Sequence, residues 1–413
     1  MLSAMGDSEL AESYDPLGAH LDDPYPFYRR ARATEPVFHS PRLDAWVVTR
    51  FADVDAILKD PAAFSSVNSI RPVRQLYPGT FAALAGGYPP APDHITSDGE
   101  AHRRFRAPYA KWLTLATAKE LEPAIRERAD ALLESIVDGS TVDLVSRFAS
   151  PLPVRTAAVV FGIAPEDVEA VRIGSESLFS LGSADLDEAA EARAAHDVVA
   201  FQHIVAGYVR QRHAAPGEDL ISAVVAALAP GAPPLPFDRE SELVGTVCST
   251  IGAGHITTTD TIGNAVRLLL EEPDRWRLLR ERPELIPNAV EEVLRFESPV
   301  PTIFRRATRA VTVAGVDIPA GADLLLVFAS AHRDEERYPD AERFDVTRTP
   351  SRHFGFGAGP HTCVGAPLAR AQARIALRLL TERLPTLRAA PGHAVRLKRA
   401  VNVRGPLALP VTA

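Results

Sequence analysis

The sequence has 413 residues, 46% of them hydrophobic and 24% charged, with a net charge of -8, the profile of a globular chain with a large core. The acidic balance gives no basis for a nucleic-acid partner. The polar, acidic start "MLSAMGDSELAESYDPLGAHLDDPYP" has no basic flank leading into an apolar run, so neither a signal peptide nor a membrane anchor is expected.

Residues 1–15 are expected to form a flexible tail. "AWVVTRF" (45–51) reads as a strand and "ADVDAILKD" after it as a short helix. Residues 66–100 hold many prolines and glycines and no sustained period, which in so long a stretch marks a lid or binding loop. From 101 to 212 the period is helical, with breaks near Pro151, Pro165 and Gly182. A very long helix is predicted from 238 to 270, opened by "FDRESE", and another over "ELIPNAVEEVLRF", stopped at Ser298-Pro299. Alternating β-branched residues over 311–328 suggest a hairpin turning at Ala314-Gly315. "PLARAQARIALRLLTERL" is the last helix and "RGPLALPV" a strand-like tail. No repeat or linker divides the chain, so one mainly α domain with small β-sheets is predicted over residues 1–413.

The stretch with chemical content is "FGFGAGPHTCVG", residues 354–365, which surrounds Cys363 with glycine and proline. Two cysteines in this length give no disulfide framework and suit a reducing cytoplasm. A lone cysteine is most often a small buried hydrophobe. Gly355, Gly357, Gly359, Pro360 and Gly365 are costly in any packed strand or helix, however, and allow a bulky flat group to approach the main chain. Ala366-Pro367 begins a helix whose N–H groups and dipole favour a thiolate at residue 363. Zinc is a poor fit, since His353 and His361 have no second thiolate nearby. A nucleophilic cysteine would need a paired base, which the closeness of His361 does not by itself establish.

"FGAGPHTCVG" resembles the cysteine-ligand loop of the cytochrome P450 family of haem-thiolate monooxygenases. The resemblance implies the helix-rich, triangular-prism fold of that family, with small sheets. It also implies haem b (iron protoporphyrin IX) as cofactor, with Cys363 as the iron ligand and Phe356, Gly357 and Gly365 shaping its loop. Other stretches are similar to family motifs in the right order. Glu292 and Arg295 in "EEVLR" resemble the Glu-x-x-Arg pair, and "AHRRFR" supplies His102 and Arg106 one turn apart. With Arg305 (in preference to Arg306) and His361, these resemble the residues that grip the haem propionates. In "IGAGHITTTD", Ala253, Gly254 and Thr257 match the oxygen-binding groove. One departure stands out, because the acid usual before that threonine is Ile256 here. The resemblance places substrate contacts in the 66–100 loop and near Phe179, Ile303 and Val401.

The implied activity is insertion of one oxygen atom from O2 into a small hydrophobic organic molecule in secondary metabolism. Electrons would come from NAD(P)H through a ferredoxin and its reductase to a cytoplasmic monomer. Arg370, Arg374 and Arg378, with Arg103 and Arg104, form a candidate landing site for that acidic partner, against a plain solvated face as the alternative. A peroxide-driven relative and a non-catalytic haem sensor or carrier are the competing readings.

Overall fold

One helix of 34 residues, Phe237–Leu270, runs through the middle of the molecule. Apolar residues recur around nearly its whole circumference, including Leu243, Val247, Ile251, Ile262, Val266 and Leu269, all at most 1% exposed. A helix apolar on every side is one buried on every side. The computed structural model describes residues 8–134, 136, 140–232 and 234–412. In it, the helices Leu115–Glu134, Ile286–Phe296 and Ala366–Arg383 pack with the long helix into one core. Fully burying a leucine-sized side chain stabilises by about 1.5–3 kcal/mol, and Leu133, Leu268, Leu377 and Leu380 each contribute on that scale.

A five-stranded sheet lies to one side, in the order Val37–Ser40, Ala45–Val48, Asp323–Val327, Thr302–Ala307, Phe64–Ser65. Its central antiparallel pair sets Ile303 opposite Leu326 and Arg305 opposite Leu324. Alternation along a strand then puts Ile303 and Arg305 on one face and Phe304 and Arg306 on the other. Arg306 pairs with Asp323 at 2.7 Å. The strand pleat therefore supports Arg305, not Arg306, as the inward residue.

Several expectations need correction. The flexible tail does not extend over residues 8–15: Ser8 caps a helix over Glu9–Ser13, and Tyr14 is fully buried against Phe27 and Phe38 at ring distances of 5.0 and 5.7 Å. Aromatic burial of this kind anchors a chain end; residues 1–7 lie outside the described residues. The 66–100 stretch is not loop throughout, since Pro78 opens a helix to Leu84 and Gly99 opens the next. The hairpin at Ala314-Gly315, with φ of 48° and 81°, joins only Val311–Val313 and Val316–Ile318. Asp323–Val327 leaves it for the main sheet. Among the described residues no helix is long and apolar enough to cross a membrane.

Candidate active site

The loop before the last helix is held by its own main chain and by its neighbours. Gly357 and Gly359 have φ of +67° and +68°, a region that favours glycine. A Cβ on Gly359 would also sit 2.2 Å from the Leu58 carbonyl oxygen, so the loop presses directly on the helix Phe51–Lys59. The Cys363 N–H donates to Phe356 O at 2.8 Å. The sulfur itself lies deep in the molecule yet is exposed to an internal cavity. Burial pushes its thiol up. The backbone N–H groups of Gly365 and Ala366, with Arg106 and Arg370, oppose that without overcoming it. The helix start alone therefore does not make a thiolate, and coordination to a metal would be what removes the proton.

Across the cavity runs the long helix, whose Thr250, Ala253, Gly254, Thr257, Thr258 and Thr261 border it. Its helical pattern is unbroken from 237 to 270. The two glycines serve different ends. A Cβ on Gly254 would meet no atom within 4 Å, whereas one on Gly252 would lie 2.8 Å from the Phe179 ring. Thr257 Oγ1 donates to Ala253 O at 2.6 Å, which leaves its lone pairs free to accept. His255 points elsewhere, wedged between the Ser150 and Ser175 hydroxyls at 3.2 and 2.9 Å. Burial lowers its pKa to about 3. Ile256 is 3% exposed and packs with Ala400, Val403, Phe179 and Ala184. Contrary to the expectation from the sequence, Phe179 and Val401 thus do not border the cavity. Phe179 closes over Ile256, and Val401 is tied by its main chain to Thr302 and Ser183. Ile303 does border the cavity.

At one end four basic side chains converge. Arg106, Arg305 and His361 border the cavity, and the His102 ring lies 4.1 Å from that of His361. Arg305 is 4% exposed and donates to Ser69 Oγ at 2.9 Å; burial lowers its pKa to about 10. Burial, then Arg305, lowers that of His361 to about 3. The Nε2 atoms of His102 and His361 are buried without a hydrogen-bond partner among the described residues. Asp98 stands 3.8 Å from His361, but its carboxylate is taken up by Ser65 and Ser66. Buried donors and cations without matching anions are costly. The cluster suits a ligand that brings its own carboxylates.

Glu292 and Arg295 form a buried bidentate pair, 2.8 Å in each arm, away from the cavity. Arg295 also donates to the carbonyls of His332, Ala341 and Arg343 at 2.8–3.0 Å, so the pair staples the segment 332–348 to the core. The arginine stripe is largely neutralised: Arg370 pairs with Glu291, Arg104 with Glu242 and Arg378 with Glu382, and Arg374 lies 3.8 Å from Glu122. Sequence reading missed His94 and Ser69. His94 had a local signal in Asp93, which caps the turn after it by accepting from the Ile95 and Thr96 N–H groups.

The comparisons agree with this geometry. The family model described as "Cytochrome P450" matches residues 235–385. Cytochrome P450 107B1 of Saccharopolyspora erythraea is 35% identical over 374 residues, covering 89% of each chain. Nocardicin C N-oxygenase of Nocardia uniformis is 36% identical, covering 96% of this chain and 97% of that one. The chain belongs to the cytochrome P450 family. Cytochrome P450 CREJ, solved in complex with (4-ethylphenyl) dihydrogen phosphate, superposes with a TM-score of 0.89 at 32% identity, over 97% of this chain and 99% of its own. The chain is thus a P450 monooxygenase with haem b as cofactor. The residues present fit that group, with one sulfur facing the cavity, glycines beneath it, and unmatched donors for two propionates.

Proposed function

We propose that this P450 acts as one catalytic domain that oxygenates a hydrophobic organic molecule of moderate size, with Cys363 as the residue that would hold the haem iron. The observation that carries the reading is the Cys363 sulfur, which opens into the same cavity as Ala253, Gly254 and Thr257. When bound, the haem supplies the reductive activation of dioxygen, one atom going to the substrate and one to water. The chain does the rest. Gly365 and Ala366 direct N–H groups at the sulfur and tune it. Phe356 and Gly357 shape the cavity beside it, and His102, Arg106, Arg305 and His361 hold the two carboxylates. The open space at Gly254 admits a small molecule or water. Thr257 accepts a hydrogen bond from that water at Oγ1 and so holds a proton source in place. Ile256 carries no proton and seals the far side of the helix.

Pro299, Val300, Ile303 and Ile95 give the cavity apolar walls, which favour an apolar substrate body. Relatives bear the names mycinamicin IV hydroxylase/epoxidase and vitamin D(3) 25-hydroxylase, which supports a bulky organic substrate and a tailoring role in secondary metabolism. A ferredoxin and its reductase carry the electrons from NAD(P)H to this cytoplasmic monomer.

The ferrous carbonyl complex of the purified protein is expected to show the strongly red-shifted absorption band of thiolate ligation, and Cys363→Ser to abolish it. A band that survives the substitution overturns the assignment. Screening small molecules for a shift in the haem absorption band then finds the substrate class.

A further inference from the structure

We propose that His94 is a fifth residue holding the haem carboxylates, its ring Nε2–H donating to one of them. This rests on the haem reading above and assigns a contact that no sequence motif indicated. His94 precedes the basic helix Gly99–Trp112 and borders the cavity. It is 7% exposed, and neither ring nitrogen has a hydrogen-bond partner among the described residues; Nδ1 is sealed off, which leaves Nε2 as the nitrogen that can reach a ligand in the cavity.

A buried core histidine normally satisfies both nitrogens. This one makes only a ring contact, 4.8 Å from the centroid of Tyr109. Its position is fixed on purpose-built local structure. Asp93 Oδ1 accepts from Ile95 N at 2.8 Å, Thr96 N at 2.9 Å and Thr96 Oγ1 at 2.8 Å, an Asx turn that locks the backbone on both sides of the imidazole. Asp93 is thereby committed to the turn.

The cavity beside His94 says what completes it. Burial disfavours its protonation most; among the charges Asp93 favours it, and Arg106 and His102, two of the residues proposed to hold the propionates, disfavour it. An imidazole with an unused N–H that borders the same cavity as Arg106 suits an anion placed between them. An apolar substrate body would leave the same donor unmet. The ligand class is therefore a carboxylate, and the haem carries two.

The test uses purified holoenzyme and excess apomyoglobin as a haem acceptor, following the rate of haem transfer optically. His94→Phe preserves the ring contact with Tyr109 but has no donor; His94→Gln keeps an N–H and loses the ring. The expected result is haem release about tenfold faster in His94→Phe, the size of one charge-assisted hydrogen bond, with His94→Gln close to wild type. The reverse order, or no change in either variant, overturns the proposal by making His94 a packing residue. The carbonyl band of the wild type separates the two readings. Its absence overturns the haem-thiolate assignment and this proposal together, whereas its presence with unchanged release overturns this proposal alone.

Discussion

Thr257 is the residue whose role depends most on a single hydrogen bond. Its hydroxyl donates to Ala253 O, so the side chain is held in one rotamer with its lone pairs available. Neither neighbour on the usual acid side can substitute: Ile256 is apolar and His255 is held neutral between two serines. Thr257→Ala should therefore reduce product formed per NAD(P)H consumed by about fivefold, the equivalent of one hydrogen bond of about 1 kcal/mol, with the lost electrons recovered as peroxide. Thr257→Ser should restore most of the ratio. An unchanged ratio in the alanine variant would remove Thr257 from proton delivery. At this scale the sequence was informative where chemistry and backbone conformation coincide, as at Cys363 and Gly357. At His94 it offered only Asp93, which signals the turn but not what the imidazole meets.

Among the elements, the attachment of the 66–100 stretch was the least legible part. Its composition reads as a lid or binding loop, but its attachment depends on partners far away in the chain, on the side of the long helix away from the cavity. Val73 N bonds to Gly182 O at 2.8 Å, Asp185 N to Arg399 O at 3.0 Å and Val401 N to Ser183 O at 3.3 Å. Three separate segments are thus joined over Ile256. Glu191, fully buried, fixes the arrangement by accepting from Tyr77 N at 2.7 Å and Thr80 Oγ1 at 2.5 Å and by pairing with Arg74. Removing one member of a fully buried pair typically costs about 3–5 kcal/mol, and Arg74 is 20% exposed. Arg74→Ala is therefore expected to destabilise the fold by about 1–3 kcal/mol, measured as a lowered unfolding midpoint in urea. An unchanged midpoint would mean that Tyr77 and Thr80 alone hold Glu191 and these segments in place. The core helices were legible for the opposite reason: their periodicity reports burial that is local to each element.

At the scale of the whole molecule, one buried carboxylate ties distant segments together. Glu297 accepts from Tyr25 OH and Arg404 Nε at 2.6 Å and from Arg267 at 2.9 Å, while Arg404 also donates to Leu21 O and Asp22 O at 2.8 Å. The N-terminal segment, the long helix and the C-terminal segment therefore meet at one side chain, which no local sequence pattern could reveal. Burial alone would raise its pKa, but Arg404, Arg267 and Arg333 outweigh it and hold the carboxyl at about 2, against an ordinary 4.5. A folded-state pKa below the unfolded value gives stability that is complete above about pH 4.5 and lost as pH falls toward 2. Its size is about 3 kcal/mol, from the 2.5-unit difference between those two values. Glu291, held at about 2 by Arg370 and His353 against its own burial, adds in the same direction. Glu297→Gln should thus lower the unfolding midpoint at pH 7 and flatten its decline between pH 4.5 and pH 3, measured by calorimetry. If the variant and the parent decline in parallel over that window, the charge of Glu297 is not what joins the two ends of the chain.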